Sequence, residues 1–231
     1  MSHQYTNCYI AFLDILGFKK MIDEKTCEEI HNLYSNEMKK PLAKISTGTK
    51  EFNMDNLNMK VMSDSICFFV DSSIRNSLYG LISNCVSFQS QLLRLKEPVL
   101  SRGAIVKGNI YANGDIIFGP GFVKAYQMEE NNAKYPRIIM TQETFQFALE
   151  NTDEEFKESL YSNIFCDFDE FISIDTLDSF EGFDTYGEQC KHLLNYINRI
   201  LASTIDSSIR EKFLYLKKNL LRWYKIDNSS N

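Results

Sequence analysis

Two aspartates interrupt apolar stretches of the sequence at positions where a carboxylate can take part in chemistry. Asp14 closes the run CYIAFLD at residues 8–14, and Asp64 stands between the segments LNMKVMS and ICFFVD. A nearly continuous apolar run predicts a buried strand, and two short apolar segments joined by Ser63, Asp64 and Ser65 predict a tight β-hairpin. If this hairpin lies beside the first strand, both carboxylates lie at the same edge of the sheet.

Two carboxylates at one edge predict a site for divalent cations. Like charges held a few ångströms apart repel, and hard oxygen ligands favour Mg²⁺ or Mn²⁺. A pair of such ions about 3.5–4 Å apart suits phosphoryl chemistry. Gly17 and a predicted helix start follow Asp14, and free amides at a helix start bind phosphate oxygens. The alternative is that each aspartate only ends a strand or occupies a turn, where this residue is common.

Strands and helices alternate along the first 150 residues. Apolar periodicity and the Gly and Pro positions predict strands at 8–14, 101–111, 116–118 and 135–140, besides the hairpin. The same signals predict helices at about 18–45, 73–96, 120–132 and 141–150, with residues 46–56 as a loop. This order predicts an α+β fold with a mixed sheet and helices covering one face.

The remainder of the chain has a different character. Residues 151–184 are acidic and predict one or two edge strands, whereas from Glu188 onward apolar residues recur at helical intervals. Ser208 and Glu211 predict a capping box at the start of the last helix. We therefore expect a first domain over residues 1–150, and over 151–231 an acidic strand segment with C-terminal helices packed on it.

Composition excludes several classes of protein. The 231 residues carry 25 Lys and Arg against 31 Asp and Glu, a net charge of −6, which disfavours a nucleic-acid or anionic-membrane surface. The six cysteines and three histidines lack zinc-ligand spacing. With no long apolar run and no basic leader, we expect a cytoplasmic protein. An anionic substrate would need local help, such as metal ions.

Three segments together resemble the class III nucleotidyl cyclases. FLDILGF (12–18) resembles their first signature and KVMSDSICFF (60–69) their second, the hairpin that carries a lysine and an aspartate. Residues 102–111 and 116–140 follow the strand, Gly, helix and strand of the third block. The resemblance covers about residues 5–150 and extends to the pyrimidine cyclases of the bacterial Pycsar antiphage system. It implies a ferredoxin-like or palm-like catalytic domain over residues 1–150.

The resemblance implies roles for residues around the first two motifs. Asp14 and Asp64 would be the catalytic metal ligands, with the Ile15 carbonyl as a third ligand, for two Mn²⁺ or Mg²⁺ ions. Gly17 and Phe18 would supply phosphate-binding amides.

The third block departs from the ordinary family where the base and phosphates are read. Ile116 stands in place of a base-reading acid, Val123 in place of the ribose-orienting Asn, and Gln127 in place of the transition-state Arg. Either the substrate carries a different base from that of the ordinary family, or the protein has lost activity. Lys60 occupies the position of the family's base-reading lysine; the alternative is that it is an exposed lysine on a strand. A lysine only donates hydrogen bonds and suits the O4 of uracil better than the amino group of cytosine, which favours UTP over CTP.

Other side chains are candidates for contacts with the nucleotide. Arg102, Lys107, Lys124 or Arg137 could replace the missing positive charge, and we take Arg102 as the nucleotide-binding candidate, although a structural role is open for each. Tyr126 could stack on a base or belong to the core.

The resemblance implies a pyrimidine nucleotide cyclase. Such an enzyme converts UTP or CTP to the 3′,5′-cyclic nucleotide and pyrophosphate, as a head-to-tail homodimer with composite sites. Its product acts on a separate effector protein during phage infection. The alternatives are a purine cyclase or a polymerase-like nucleotidyltransferase, a degenerate module that senses a nucleotide without turnover, and a scaffold with incidental acids.

Overall fold

A computed structural model describes residues 4–38, 44–47, 50–177 and 186–228. Its strands are β1 (Thr6–Ile15), β2 (Lys44–Thr47), β3 (Lys50–Asn53), β4 (Asn58–Met62), β5 (Ser65–Asp71), β6 (Ser101–Asn113), β7 (Ile116–Phe118), β8 (Ile138–Met140), β9 (Ile164–Cys166) and β10 (Ile172–Ile174). Its helices are α1 (Phe18–Glu24), α2 (Cys27–Asn32), α3 (Ser77–Leu93), α4 (Pro120–Asn132), α5 (Gln142–Glu150), α6 (Glu154–Ser162), α7 (Tyr186–Ser203) and α8 (Ser207–Asn228). A π-helical segment, Leu33–Met38, continues α2, and a 3₁₀ turn, Met54–Asn56, precedes β4.

The main sheet has the strand order β4-β5-β1-β6-β8-β10-β9, with β7 paired to β6. β6 and β8 run parallel, and the other pairs are antiparallel. The predicted α+β fold with a mixed sheet and C-terminal helices is therefore confirmed. β9 and β10 extend this sheet beyond β8, and the boundary at residue 150 stays a prediction.

Alternation along β1 creates two apolar faces. Tyr9, Ala11 and Leu13 pack with α3 on one face, whereas Ile10 and Phe12 pack with α4 on the other. Helices therefore cover both faces of the sheet. We expected helices on one face only, and α4 covers the face opposite to α3. The reason is that β1 is apolar at every position from 8 to 13, so that both of its faces need cover.

Close backbone contact places α4 against the sheet. A Cβ on Gly121 would lie 2.7 Å from the carbonyl carbon of Gly108 in β6 and 2.7 Å from Cδ1 of Ile10. Only glycine permits this approach, because any side chain would push the helix away from the strand. The residues one and two turns further along α4 are thereby held close to the end of β1.

Local predictions failed in three places. The predicted helix over 18–45 ends at Glu24, because Thr26 and Glu29 form a capping box that starts α2. Residues 39–43 of that prediction lie outside the described residues. The predicted loop over 46–56 contains the end of β2, all of β3 and the 3₁₀ turn. Asp206 rather than Ser208 caps the last helix, since its Oδ1 accepts a hydrogen bond of 2.9 Å from the amide of Ile209.

The helices α7 and α8 pack on the end of the sheet where β1 terminates. They form a buried cluster with Leu93, at the end of α3, and Leu100, just before β6; its other members include Leu193, Ile197, Phe213, Leu216 and Leu220. Ser101, the first residue of β6, pairs with Ile15, the last residue of β1. The C-terminal helices therefore border the edge of the sheet that carries Asp14.

A buried polar network fixes α8. Arg137 forms ion pairs with Asp167 and Asp169, and its side chain is 2% exposed. The Tyr215 hydroxyl of α8 donates a hydrogen bond of 2.5 Å to Asp167, and the Tyr215 ring stacks on Tyr135 with centroids 4.6 Å apart. Buried charges that are paired and hydrogen-bonded hold their elements in one arrangement. In the part of the chain that the structure describes, no helix combines the length and apolarity that a membrane crossing requires.

Candidate active site

Asp14 and Asp64 lie at the same end of the sheet. Asp14 pairs with Ser65 across the antiparallel β1 and β5, so the hairpin turn that carries Asp64 projects beside the end of β1. The amide of Ile15 donates a hydrogen bond of 3.0 Å to the Asp64 carbonyl. The structure therefore brings together the two carboxylates that the sequence singles out.

The hairpin turn is held by a side chain that the sequence reasoning missed. The Tyr34 hydroxyl donates a hydrogen bond to the carbonyl of Ser63, which adopts a positive φ of 56°. Burial raises the pKa of Tyr34, and the nearby Asp64 carboxylate raises it further. In the sequence, Tyr34 is recognisable only as one of the apolar residues at helical spacing. Its contact with the turn depends on tertiary packing.

Asp14 is half-buried, and its ionised form is disfavoured. Loss of solvation raises its pKa above the ordinary value, and repulsion from Asp64 adds to the increase. A hydrogen bond and an ion pair from Arg102 oppose this, as does the more distant ammonium of Lys212. A further positive charge, besides those of Arg102 and Lys212, would therefore stabilise the carboxylate.

Arg102 links Asp14 to a buried glutamate that the sequence reasoning also missed. Its Nε donates a hydrogen bond of 3.2 Å to Oδ2 of Asp14 and lies 2.8 Å from Oε1 of Glu129. The N–H points at Asp14, so Oε1 of Glu129 is a buried atom without a hydrogen bond in the described part of the chain. A further Arg102 nitrogen donates 3.1 Å to the Ala133 carbonyl. The guanidinium thus bridges β1 and α4 instead of pointing into open space.

Gly17 makes the turn that leads from β1 into α1. Its φ of 78° lies in the left-handed region, where glycine is favoured. The amide of Leu16 donates to the Leu100 carbonyl at 2.9 Å, and the amide of Met21 donates to the Gly17 carbonyl at 3.1 Å. The amides of Phe18 and the next residues belong to the first helical turn, which has no intrahelical acceptors. Gly17 and Phe18 follow Asp14 by three and four residues, at the turn from β1 into α1.

Lys60 lies on the same face of the sheet as Asp14 and lines a cavity that Asp14 does not reach. It pairs with Cys67 across β4 and β5, two positions from Ser65, which pairs with Asp14. Its ammonium donates to the carbonyl of Gly114 in the turn between β6 and β7. The cavity, of about 420 Å³, is also lined by Asp55, Asn56, Asn58 and Asp71.

The remaining candidates lie on exposed surfaces or are already engaged. Tyr126 is exposed on α4, contacts Phe12 edge to face at 5.7 Å, and has a pKa raised by its hydrogen bond with Glu130. Lys107 lies 4.8 Å from the ring centroid of Phe147. Arg137 is held by the network that fixes α8. Val123, Gln127, Ile116 and Lys124 are exposed on α4 and β7.

The donor atoms at the sheet end fit hard divalent cations in type. Carboxylate oxygens of Asp14 and Asp64 are ligands of the kind that Mg²⁺ and Mn²⁺ prefer, and a backbone carbonyl such as that of Ile15 is another. Within the described residues no three His, Cys, Asp or Glu side chains are clustered as a ready-made metal site. An ion here would depend on two carboxylates, backbone oxygen, water and substrate oxygens, as Mg²⁺ commonly does.

No family model and no curated protein matches the chain. Its fold is similar to that of solved cyclase domains. The guanylyl cyclase domain of the RhoGC fusion protein from the aquatic fungus Blastocladiella emersonii is 14% identical, with 64% of this chain and 90% of that chain covered and a TM-score of 0.48. An adenylate/guanylate cyclase/hydrolase from Silicibacter pomeroyi is 14% identical, covering 74% and 95%, with a TM-score of 0.47. A class III adenylyl cyclase-like ATP-binding protein from Pseudomonas aeruginosa is 11% identical, covering 82% and 40%, with a TM-score of 0.38. Similarity at this level concerns the fold.

Proposed function

We propose that this protein is a nucleotidyl cyclase that converts a pyrimidine nucleoside triphosphate, UTP in preference to CTP, to a 3′,5′-cyclic nucleotide and pyrophosphate. The observation that carries the proposal is the position of Asp14 and Asp64 at one end of the sheet, beside the Gly17 turn. The two motifs that place them there are the ones that resemble class III cyclases. By the same resemblance, the product acts on a separate effector protein in antiphage defence.

Each residue at the sheet end has a task in this reaction. Asp14, Asp64 and the Ile15 carbonyl would hold two Mn²⁺ or Mg²⁺ ions. When bound, such ions activate the ribose 3′-hydroxyl and neutralise phosphate charge. The amides of Gly17 and Phe18 would bind phosphate oxygens without adding side-chain charge.

Arg102 is arranged so that it can release Asp14. Its Nε lies 2.8 Å from Glu129, and another of its nitrogens donates to the Ala133 carbonyl. These two contacts keep the guanidinium in place when the Asp14 carboxylate takes other partners. Arg102 would then present its charge to the phosphates from the side of α4, where Gln127 lacks one.

The position of Lys60 supports a composite site in a homodimer. The backbone of Lys60 lies about 12 Å from that of Asp14. This distance combines two strand spacings of about 4.8 Å across the sheet with two residues of about 3.4 Å along the strands. The cavity that Lys60 lines does not include Asp14. Exposed apolar side chains on β7 and α4, among them Ile116, Phe118 and Val123, offer a surface for the second chain. In such a dimer, Lys60 of one chain would read the base of the nucleotide that Asp14 of the other chain binds.

Product analysis by mass spectrometry tests the proposal. The purified protein receives each of the four ribonucleoside triphosphates with Mn²⁺, and Asp14→Asn is the matched variant. We expect a cyclic pyrimidine nucleotide and pyrophosphate from the unsubstituted protein, and a loss of at least about 100-fold in Asp14→Asn, because a metal ligand is removed. A linear or purine product would contradict the substrate assignment. Equal product from Asp14→Asn would contradict the assignment of the site.

A second candidate, a nucleotide-sensing module without turnover, is favoured by a specific observation. Arg102 already satisfies Asp14, and the positions that would orient ribose and stabilise the transition state are the exposed Val123 and Gln127. In that case nucleotide binding would be measurable by calorimetry while no triphosphate yields pyrophosphate.

A further inference from the structure

A cavity of about 380 Å³ lies between the Gly17 turn and the C-terminal helices. Leu16 and Gly17, directly after the strand that carries Asp14, line it, and α8 contributes Lys212 to the same lining. The cavity therefore begins two residues beyond the candidate metal ligand. It lies on the side of the Gly17 turn that faces α7 and α8, whereas Lys60 lines a separate cavity.

Three lysines line this cavity, and their charges are balanced unequally. Lys20 forms an ion pair of 3.6 Å with Glu24, and Lys25 forms one of 3.2 Å with Glu97. Lys212 is half-buried, and among the described residues it forms no close ion pair and no hydrogen bond, although its ammonium acts at longer range on the Asp14 carboxylate. One positive charge on the cavity wall is thus left without a carboxylate in direct contact. A partly desolvated ammonium is costly unless an anion compensates it.

The packing of α8 fixes where Lys212 lies. Phe213 and Leu216 are buried in the cluster that joins α8 to α3 and β6. Tyr215, one turn after Lys212, is hydrogen-bonded to Asp167. These contacts hold α8 in place, so Lys212 reaches the cavity wall from a packed helix.

We infer that Lys212 binds the terminal phosphates of the nucleoside triphosphate, so that the C-terminal helices complete the nucleotide site within the same chain. The inference rests on the proposed function, which places the phosphates at the Asp14–Gly17 segment. A polyphosphate that begins there and continues along the wall formed by Leu16 and Gly17 enters the cavity and meets Lys212. The ammonium then supplies a positive charge that α4, with Gln127 in place of an arginine, does not supply.

Binding of inorganic tripolyphosphate in the presence of Mn²⁺, measured by isothermal titration calorimetry on the full chain, tests this inference. Lys212→Gln removes the charge, Lys212→Arg keeps it, and Lys218→Gln makes the same change at an exposed position of the same helix. We expect Lys212→Gln to weaken binding about 10-fold, or about 1.4 kcal/mol, and the other two variants to stay within about threefold of the unsubstituted protein. Circular dichroism and the melting temperature show whether each variant is folded.

A second binding experiment uses cyclic UMP, which lacks the terminal phosphates. Cyclic UMP should bind with equal affinity to the unsubstituted protein and to Lys212→Gln. A weaker affinity of Lys212→Gln for cyclic UMP would overturn the inference, because Lys212 would then act elsewhere on the nucleotide. Unchanged tripolyphosphate binding in Lys212→Gln, or an equal loss in Lys218→Gln, would overturn it as well.

Turnover assays separate this inference from the proposed function. If the protein cyclises a triphosphate but its tripolyphosphate affinity does not depend on Lys212, the inference is overturned and the cyclase assignment stands. If no triphosphate is turned over but Lys212→Gln loses tripolyphosphate affinity, the phosphate subsite is supported and the cyclase assignment fails.

Discussion

Replacing Glu129 with glutamine should stabilise the protein in a way that depends on pH. Glu129 is 3% exposed, and burial raises its pKa from 4.5 to about 7, with Arg102 lowering it and Asp14 raising it. Because the folded state holds the proton more tightly than the unfolded state, Glu129 destabilises the fold progressively as the pH rises from below 4.5 through about 7. Glutamine is a close copy of the protonated form and removes this dependence.

The magnitude follows from the two pKa values. With about 1.4 kcal/mol for each pH unit, the full cost of ionising Glu129 in the folded protein is about 3 kcal/mol. Between about pH 5 and about pH 8, about 2 to 3 kcal/mol of this cost develops, since the unfolded state is already largely ionised at about pH 5. The free energy of unfolding of Glu129→Gln should therefore gain about 2 to 3 kcal/mol on the unsubstituted protein over that interval.

Urea unfolding at several pH values, in a buffer with EDTA, measures this difference. The control is Glu158→Gln, an exposed glutamate on α6 whose substitution should leave the pH dependence of the unsubstituted protein unchanged. If the stability curves of Glu129→Gln and the unsubstituted protein stay parallel across the interval, then Glu129 ionises normally. The buried Asp14–Arg102–Glu129 arrangement would then be wrong.

Two further predictions concern how the carboxylates and Lys60 are arranged. Asp64→Asn should lower the pKa of Asp14, because it removes a neighbouring negative charge that helps to raise this pKa. Carboxyl ¹³C NMR titration without metal measures it, and an unchanged Asp14 pKa would mean that the two acids are not close. Mixing inactive Asp14→Asn with inactive Lys60→Ala should restore product formation, because one site of a mixed dimer keeps both residues. If the mixture is as inactive as its components, the site is not composite.

The strand and hairpin that carry Asp14 and Asp64 could be predicted from the sequence because their signal is local. An apolar run that ends in an acid, and a polar turn between apolar segments, each describe one element. Adjacent placement of these elements then brings the two acids together. The capping box of Thr26 and Glu29, which divides the predicted first helix, is equally local and was readable in the same way.

The partners of the two acids could not be predicted, because they depend on register and packing. Arg102 reaches Asp14 only because β1 and β6 run antiparallel with these two residues opposite each other. A shift of one residue would turn the arginine to the other face. Tyr34 and Glu129 approach the site from helices whose positions are set by the core, and nothing within their own segments marks them.

Under the proposed function, the charges at this end of the sheet require metal and nucleotide to bind together. In the chain alone, the carboxylates of Asp14 and Asp64 repel an anionic triphosphate, and the Arg102 guanidinium is already shared between Asp14 and Glu129. Divalent cations on the two aspartates would reverse the local charge and release Arg102 from Asp14. Each ligand then improves the affinity for the other by the same factor, as thermodynamic linkage requires. The net charge of −6 is therefore compatible with a triphosphate substrate, provided that cations accompany it.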